Sequence, residues 1–245
     1  MSPIKAGEFV MGSPEDEGNR NNDETQHVVK LTKDYEMQAT AVTQLQYFLV
    51  MGRNPSNFRK KEYCDDNDYQ VKFGLGLCVN HPVETVSWND AQKFIEKLNQ
   101  IQNEYTYRLP TEAEREYAAR GGMSSDFPYS FIFDDNNDLN NHSWYSDNSN
   151  NRTHAVALKI ANQYGLYDMH GNVWEWVQDF YGKYPTSPVT DPTGPTTGSF
   201  RVLRGGSWDG LAWDLRSAYR TIIESANEPP DRNCAIGFRL VRTKK

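Results

Sequence analysis

The segment Asp168-Met169-His170-Gly171-Asn172-Val173-Trp174-Glu175-Trp176 concentrates more potential chemistry than any other stretch, being a tight turn with a carboxylate near each end. Calcium takes about six to eight hard oxygen ligands, many of them backbone carbonyls, and such a turn can offer both kinds. The plainer alternative is that Asp168 and Glu175 cap turns and face solvent. Other chemistry is thinly spread. His27, His81, His142, His154 and His170 show no i,i+4 pair and no three-ligand spacing. His81, next to Pro82, reads as a structural histidine at a turn, and His170 as an exposed one. Ser217 has neither a neighbouring histidine nor a strained elbow, so a nucleophilic serine is not indicated. No acidic pair stands out from a solvated surface as a glycosidase pair would. Cys64, Cys78 and Cys234 lack metal-binding spacing. Cys64 and Cys78 could close a surface loop in an oxidising compartment, or all three could be free thiols; the spacing does not decide.

Local signals describe the frame that must hold these groups. Residues 12–26 lack periodicity and read as a loop, and residues 27–32 (HVVKLT) read as a short strand. Thr43-Gln44-Leu45-Gln46 is a capping box that opens a helix through Met51, and Gly52 stops it. Residues 53–80 read as irregular. Ser87 caps the clearest helix and Asp90 answers it, with Trp88, Ala91, Ile95 and Leu98 on one face and Phe94 widening the stripe. Thr111-Glu112-Ala113-Glu114 caps another helix, which ends at Gly121-Gly122. From 123 to 200 the chain is rich in Asn, Asp, Ser, Gly and Pro, so turns and short strands are expected there, with no long helix. Strand-like pieces return at Val202-Leu203 and around Phe238 and Leu240. No repeat or linker divides the chain, so one domain over residues 1–245 is expected.

Composition narrows the partners. The net charge is −7 over 245 residues, with both signs interspersed. No basic stripe exists to neutralise phosphates, which argues against nucleic acid, and anionic membrane surface is disfavoured for the same reason. No apolar run reaches transmembrane length. The first residues carry no hydrophobic signal region, yet Gly7-Glu8-Phe9-Val10-Met11-Gly12 already reads as domain sequence, so any leader is expected to have been removed.

Several segments together resemble the formylglycine-generating enzyme family, also called the sulfatase-modifying-factor domain. They are Phe9-Val10-Met11-Gly12-Ser13, Asn80-His81-Pro82-Val83, Val86-Ser87-Trp88, Arg108-Leu109-Pro110-Thr111-Glu112-Ala113-Glu114, the 165–176 segment (GLYDMHGNVWEW), Arg204-Gly205-Gly206-Ser207-Trp208 and Gly237-Phe238-Arg239-Leu240. They run in family order along nearly the whole chain. The resemblance implies an α+β chain with the C-type lectin fold in its larger variant: few helices, short twisted strands and much irregular backbone. It also implies that the Asp168 and Glu175 side chains and the Gly171 and Val173 carbonyls bind one structural calcium ion, whose removal should lower the melting temperature. The family enzymes use two cysteines before the final Gly-Phe-Arg segment to bind copper. Aligned on Arg216 and Arg220, those positions hold Ala212 and Ser217, which cannot replace soft thiolates, so the resemblance implies a chain without that activity. A divergent oxidase of the same class is the alternative.

A second resemblance covers only the end of the chain. From Arg204-Gly205-Gly206-Ser207-Trp208 to residues 236–241 (IGFRLV) it resembles the variable region of proteins diversified by retroelements, the treponemal variable proteins among them. Such elements randomise the first two bases of AAC-type codons, which cannot yield Trp, Glu, Gln, Lys or Met. Candidate variable positions are Asp209, Gly210, Leu211, Asp214, Thr221, Ile222, Ile223, Asn233, Cys234 and Ala235, all within the accessible set. Trp213 and Glu224 fall outside it, so each is fixed or reached from another codon. Trp208, Arg216, Arg220, Arg232 and Phe238 read as scaffold. Residues 209–235 should then project as loops, where change leaves a core undisturbed. Trp213, Ile222 and Ile223 have no evident core role there, and an exposed apolar cluster implies a partner. The alternative is that the two isoleucines form a buried strand. The resemblance implies a lipid-anchored cell-surface protein, expected to be a monomer, that binds a protein or other surface ligand.

Overall fold

The computed structural model describes residues 1–65, 67–72, 74–121, 136–223 and 232–245. The N-terminal strands are β1 (Ser2–Ile4), β2 (Gly7–Met11), β3 (His27–Leu31) and β4 (Tyr35–Met37). Helix α1 (Gln44–Met51) starts at a capping box in which Thr43 and Gln46 satisfy each other's backbone N–H groups, and it ends at Gly52 with φ +72°. Residues expected to be irregular contain a 3-10 turn (Lys61–Tyr63) and a hairpin of β5 (Tyr69–Lys72) and β6 (Leu75–Cys78). Strand β5 has no buried residue, so it carries little apolar alternation to announce itself. Cys64 and Cys78 form a disulfide that ties the end of this hairpin to the 3-10 turn, and Cys234 is free.

Helix α2 (Trp88–Ile101) begins at a second capping box, Ser87 with Asp90, and buries Ala91, Phe94 and Ile95. Strand β7 (Tyr105–Arg108) leads through Pro110 into α3 (Glu112–Ala119), whose Thr111–Glu114 box starts it as the sequence indicates. Then come α4 (Asn136–His142), β8 (Trp174–Phe180), β9 (Val189–Thr190), β10 (Arg201–Arg204), a 3-10 turn (Ala212–Leu215), β11 (Arg220–Thr221), β12 (Ile236–Phe238) and β13 (Val241–Lys244).

The strands form two four-stranded sheets, β1-β4-β13-β7 and β11-β10-β8-β12, a three-stranded sheet β2-β3-β9, and the β5-β6 hairpin. In the second sheet β12 runs parallel to β8 while β10 runs antiparallel to it, so β8 is a central strand, and Glu175, Trp176, Val177 and Asp179 are buried in it. One apolar cluster joins Ile4, Phe9, Val29, Met37 and Val241 to Ala118 of α3; a second joins Tyr47, Phe94 and Leu109 to Trp176, Leu203 and Phe238. Charge is buried as well. Arg115, Arg204, Arg216 and Arg239 are among the largest fully buried side chains.

Candidate functional site: the Asp168–Glu175 turn and the segment it supports

Asp168 and Asn172 adopt positive φ (+53° and +64°), a conformation tolerated by short polar side chains. Gly171 sits between them at φ +102°, and a Cβ there would fall 2.3 Å from the Trp144 carbonyl oxygen, so the close approach requires glycine. The turn grips the segment that follows β10. Gly171 N–H donates to the Gly205 carbonyl at 2.7 Å, Trp208 N–H to the Asn172 carbonyl at 3.0 Å, and His170 Nδ1 lies 2.7 Å from the Leu215 carbonyl oxygen. His170 is therefore not the exposed residue expected: burial brings it down to about 4, which keeps its ring neutral. His81 is the structural histidine expected, fully buried between Thr153 and Asp65.

The calcium ligands implied by resemblance sit in this turn, where arginine already engages the Glu175 carboxylate. Glu175 is buried and accepts from Arg115 Nε (3.0 Å), from Arg239 Nε (3.0 and 3.2 Å) and from Arg239 Nη2 (2.9 Å). These four contacts use the roughly four lone-pair positions a carboxylate has. Asp168 is also buried; its Oδ2 accepts from Ala157 N–H and its Oδ1 has no partner, while burial pushes the carboxyl up to about 6. The Gly171 carbonyl accepts from Val173 N–H. Among the described residues no group of three or more His, Cys, Asp or Glu could hold a metal ion. Calcium entering here would add two charges where two guanidinium groups already pair with Glu175, and as arranged the turn does not fit it. Burial lowers Arg115 to about 10, which still leaves it charged at neutral pH.

Buried ion pairs hold the backbone on both sides of the candidate variable positions. Arg204 donates to the carbonyls of Ala218, Tyr219 and Ser217, and pairs with Glu116. Arg216 meets both oxygens of Glu24 at 2.7 Å, and reaches Glu17 and the Asn19 carbonyl. Arg220 binds Glu112 through two contacts of 2.8 Å. Arg232, an exposed residue, pairs with Asp90 at 2.8 Å.

The candidate variable positions divide by exposure. Leu211 and Trp213 are 44% and 42% exposed at the 3-10 turn, and Asp209 and Asn233 are exposed as well. Asp214, Thr221, Ile222 and Cys234 are half-buried, whereas Gly210 and Ala235 are buried. Ile223 is half-buried and packs against the second apolar cluster, so it has the core role that its sequence context did not suggest. Glu224 lies outside the described residues. Ala212 is half-buried in the 3-10 turn and Ser217 is buried. Burial, with Glu84 and Asp209 nearby, pushes the Cys234 thiol up, the reverse of what a thiolate ligand or nucleophile requires.

Two groups escaped the sequence reading. Arg115 was one, because a charged residue on a short helix ordinarily faces water. The other is a cleft of about 390 Å³ lined by Glu112, Asp179, Tyr184 and Arg220, in which burial and the neighbouring Glu112 push Asp179 up to about 7. These residues are far apart in sequence and share no motif.

The neighbours in structure and sequence agree with this architecture, the C-type lectin-like fold in its larger form. Treponema denticola variable protein 1 superimposes with a TM-score of 0.81 at 32% identity, covering 98% of this chain and 94% of the other. PvdO from Pseudomonas aeruginosa gives 0.76 at 28% identity, covering 98% and 92%. The formylglycine-generating enzyme of Streptomyces coelicolor is 37% identical over 172 residues, which are 65% of this chain and 52% of that enzyme. The chain thus spans about half the length of that enzyme. The sulfatase-modifying factor enzyme 1-like domain matches residues 1–244, and the chain belongs to that family.

Proposed function

We propose that the protein is a surface-displayed, lipid-anchored ligand-binding protein without catalytic activity, whose binding face lies in a retroelement-diversified region, residues 209–235. The observation that carries this reading is the pairing of an exposed tip with a rigid base. Leu211 and Trp213 offer two large apolar side chains to solvent, while Arg204 and Arg216 fix the backbone on either side through buried ion pairs. Exposed aromatic and aliphatic anchors on preorganised backbone suit binding, because little ordering entropy remains to be lost. The likeness to a variable protein over nearly the whole chain supports the same reading.

Deep sequencing of the gene's 3′ end across a clonal culture of the source organism tests it. Substitutions concentrated at codons 209–235, with Trp208, Arg216 and Phe238 unchanged, are the expected result; a uniform sequence would remove the diversification. At the protein level, Leu211→Ser with Trp213→Ser should shift the melting midpoint by less than about 2 °C, since neither side chain is core. The same pair should weaken adhesion of cells displaying the protein by on the order of 10–100-fold. A large loss of stability would show instead that the tip is structural.

The identity with a formylglycine-generating enzyme favours a second reading, a divergent oxidase. Copper and a sulfatase-type cysteine peptide, followed by mass detection of aldehyde, decide it. Turnover above a protein-free control would establish the enzyme.

A further inference from the structure

A buried turn with carboxylates at both ends needs positive charge, and this one receives it from side chains. Arg115 projects from α3 into the turn, where Nε donates to Glu175 at 3.0 Å and Nη2 to the Met169 carbonyl at 2.8 Å. Arg239, from the segment between β12 and β13, donates to Glu175 and to the carbonyls of Tyr167, Gln38 and Ala39. A bound cation would do the same work, gathering a carboxylate and several carbonyls about one positive centre. Both guanidinium groups are fully buried. The rigid planar fork of arginine lets one charge satisfy a carboxylate and a carbonyl in fixed directions.

The arrangement reaches the segment proposed to bind ligand. Gly205, at φ +98°, lies so close to Arg115 that a Cβ there would fall 2.2 Å from Nη2. The same glycine accepts from Gly171 N–H, and Asn172 holds Trp208 two residues before Gly210. Arg115 therefore touches both the turn and the backbone that leads into residues 209–215.

We propose that Arg115, with Arg239, stands in the place of a cation in the Asp168–Glu175 turn, and that the protein positions its 205–215 segment without calcium. Arg115 is a positioning residue in this scheme. The proposal concerns the turn alone and holds or fails independently of whether residues 209–235 are diversified.

Thermal melts of the whole chain in excess chelator and in millimolar calcium, paired with calorimetric titration by calcium alone, provide the test. The wild-type midpoint should be the same in both solutions within about 1 °C, and the titration should show no binding heat. Arg115→Met leaves Glu175 with one guanidinium and frees one of its lone-pair positions, in the turn where Asp168 Oδ1 also lacks a partner. Its midpoint should fall by roughly 10 °C in chelator, as expected when one partner of a buried pair is lost, and calcium should restore part of the loss. A wild-type midpoint that drops in chelator and recovers with calcium overturns the proposal. So does an Arg115→Met protein whose stability ignores calcium. Should that variant fail to fold, the wild-type titration still decides the matter.

Discussion

Replacing Arg204 by methionine is expected to cost about 3–5 kcal/mol and to lower the thermal midpoint by roughly 10 °C or more. Arg204 is fully buried in β10. Its Nη1 donates to the carbonyls of Ala218 (2.7 Å) and Tyr219 (2.8 Å), and its Nη2 to that of Ser217 (2.9 Å) and to Glu116. Methionine fills similar volume but donates nothing, so three carbonyls and part of a buried carboxylate lose their partner at once. Each stranded group carries its own desolvation penalty, which is why removing one member of such a set costs more than the set's net worth. Glu116 keeps Arg120 and the Gly12 N–H, so the carboxylate is not left wholly bare. Arg204→Lys should fall between the two, because an ammonium supplies charge but cannot reach all four acceptors in the fork's geometry. Urea and thermal melts measure both. A midpoint within about 2 °C of wild type for Arg204→Met would show that the carbonyls of 217–219 are held by something else.

The second large effect is on pH dependence. Burial pushes Glu84 up to about 7, and burial with the adjacent Glu112 pushes Asp179 up to about 7. A carboxyl whose folded pKa lies above its unfolded value binds a proton more readily when folded. Its penalty is fully present above pH 7 and is relieved as pH falls toward the unfolded value near 4. Stability should therefore rise on acidification from pH 8 to about pH 5, by on the order of a few kcal/mol. Asp168, raised to about 6, adds in the same direction; His170, lowered to about 4, subtracts over the same interval because the unfolded chain protonates first. Below pH 4 the trend reverses. Against the effect of burial, Arg232 and Ser87 hold Asp90 at about 2, and hydrogen bonds from His154 and His81 hold Asp65 well below the usual carboxylate range. Their stabilisation is present above the unfolded value and is lost as pH falls through the folded one. Melts from pH 3 to 9 should give a maximum near pH 5. Asp179→Asn and Glu84→Gln should each flatten the limb above it. A stability that climbs steadily from pH 5 to 8 would contradict the assignment.

Elements governed by near neighbours could be read directly. The capping boxes at Thr43, Ser87 and Thr111 each lie within one turn of the backbone they satisfy. The apolar stripe of α2 follows from a helical period that the chain carries in its own order. The ordered family segments likewise gave the lectin-like architecture, and the family match over residues 1–244 agrees. The β5-β6 hairpin was not readable, because its strands lack the alternation that one buried face would impose.

The candidate site shows where local reading stops. Which residues form the Asp168–Glu175 turn is set by the turn's own order of carboxylates, glycine and asparagine. What the turn binds is set by Arg115, 60 residues from Glu175 in sequence, and Arg239, 64 residues away on the other side. In the same way, the exposure of Trp213 and the packing of Ile223 depend on which sheet and which loop close over them. Residues 209–223 do not encode that by themselves. The order of residues determined the helices, their caps, the turn and the fold family, since those depend on interactions across a few positions. Only the tertiary structure decided how buried charges pair, because Coulomb attraction and desolvation act between groups brought together in space, whatever their separation along the chain.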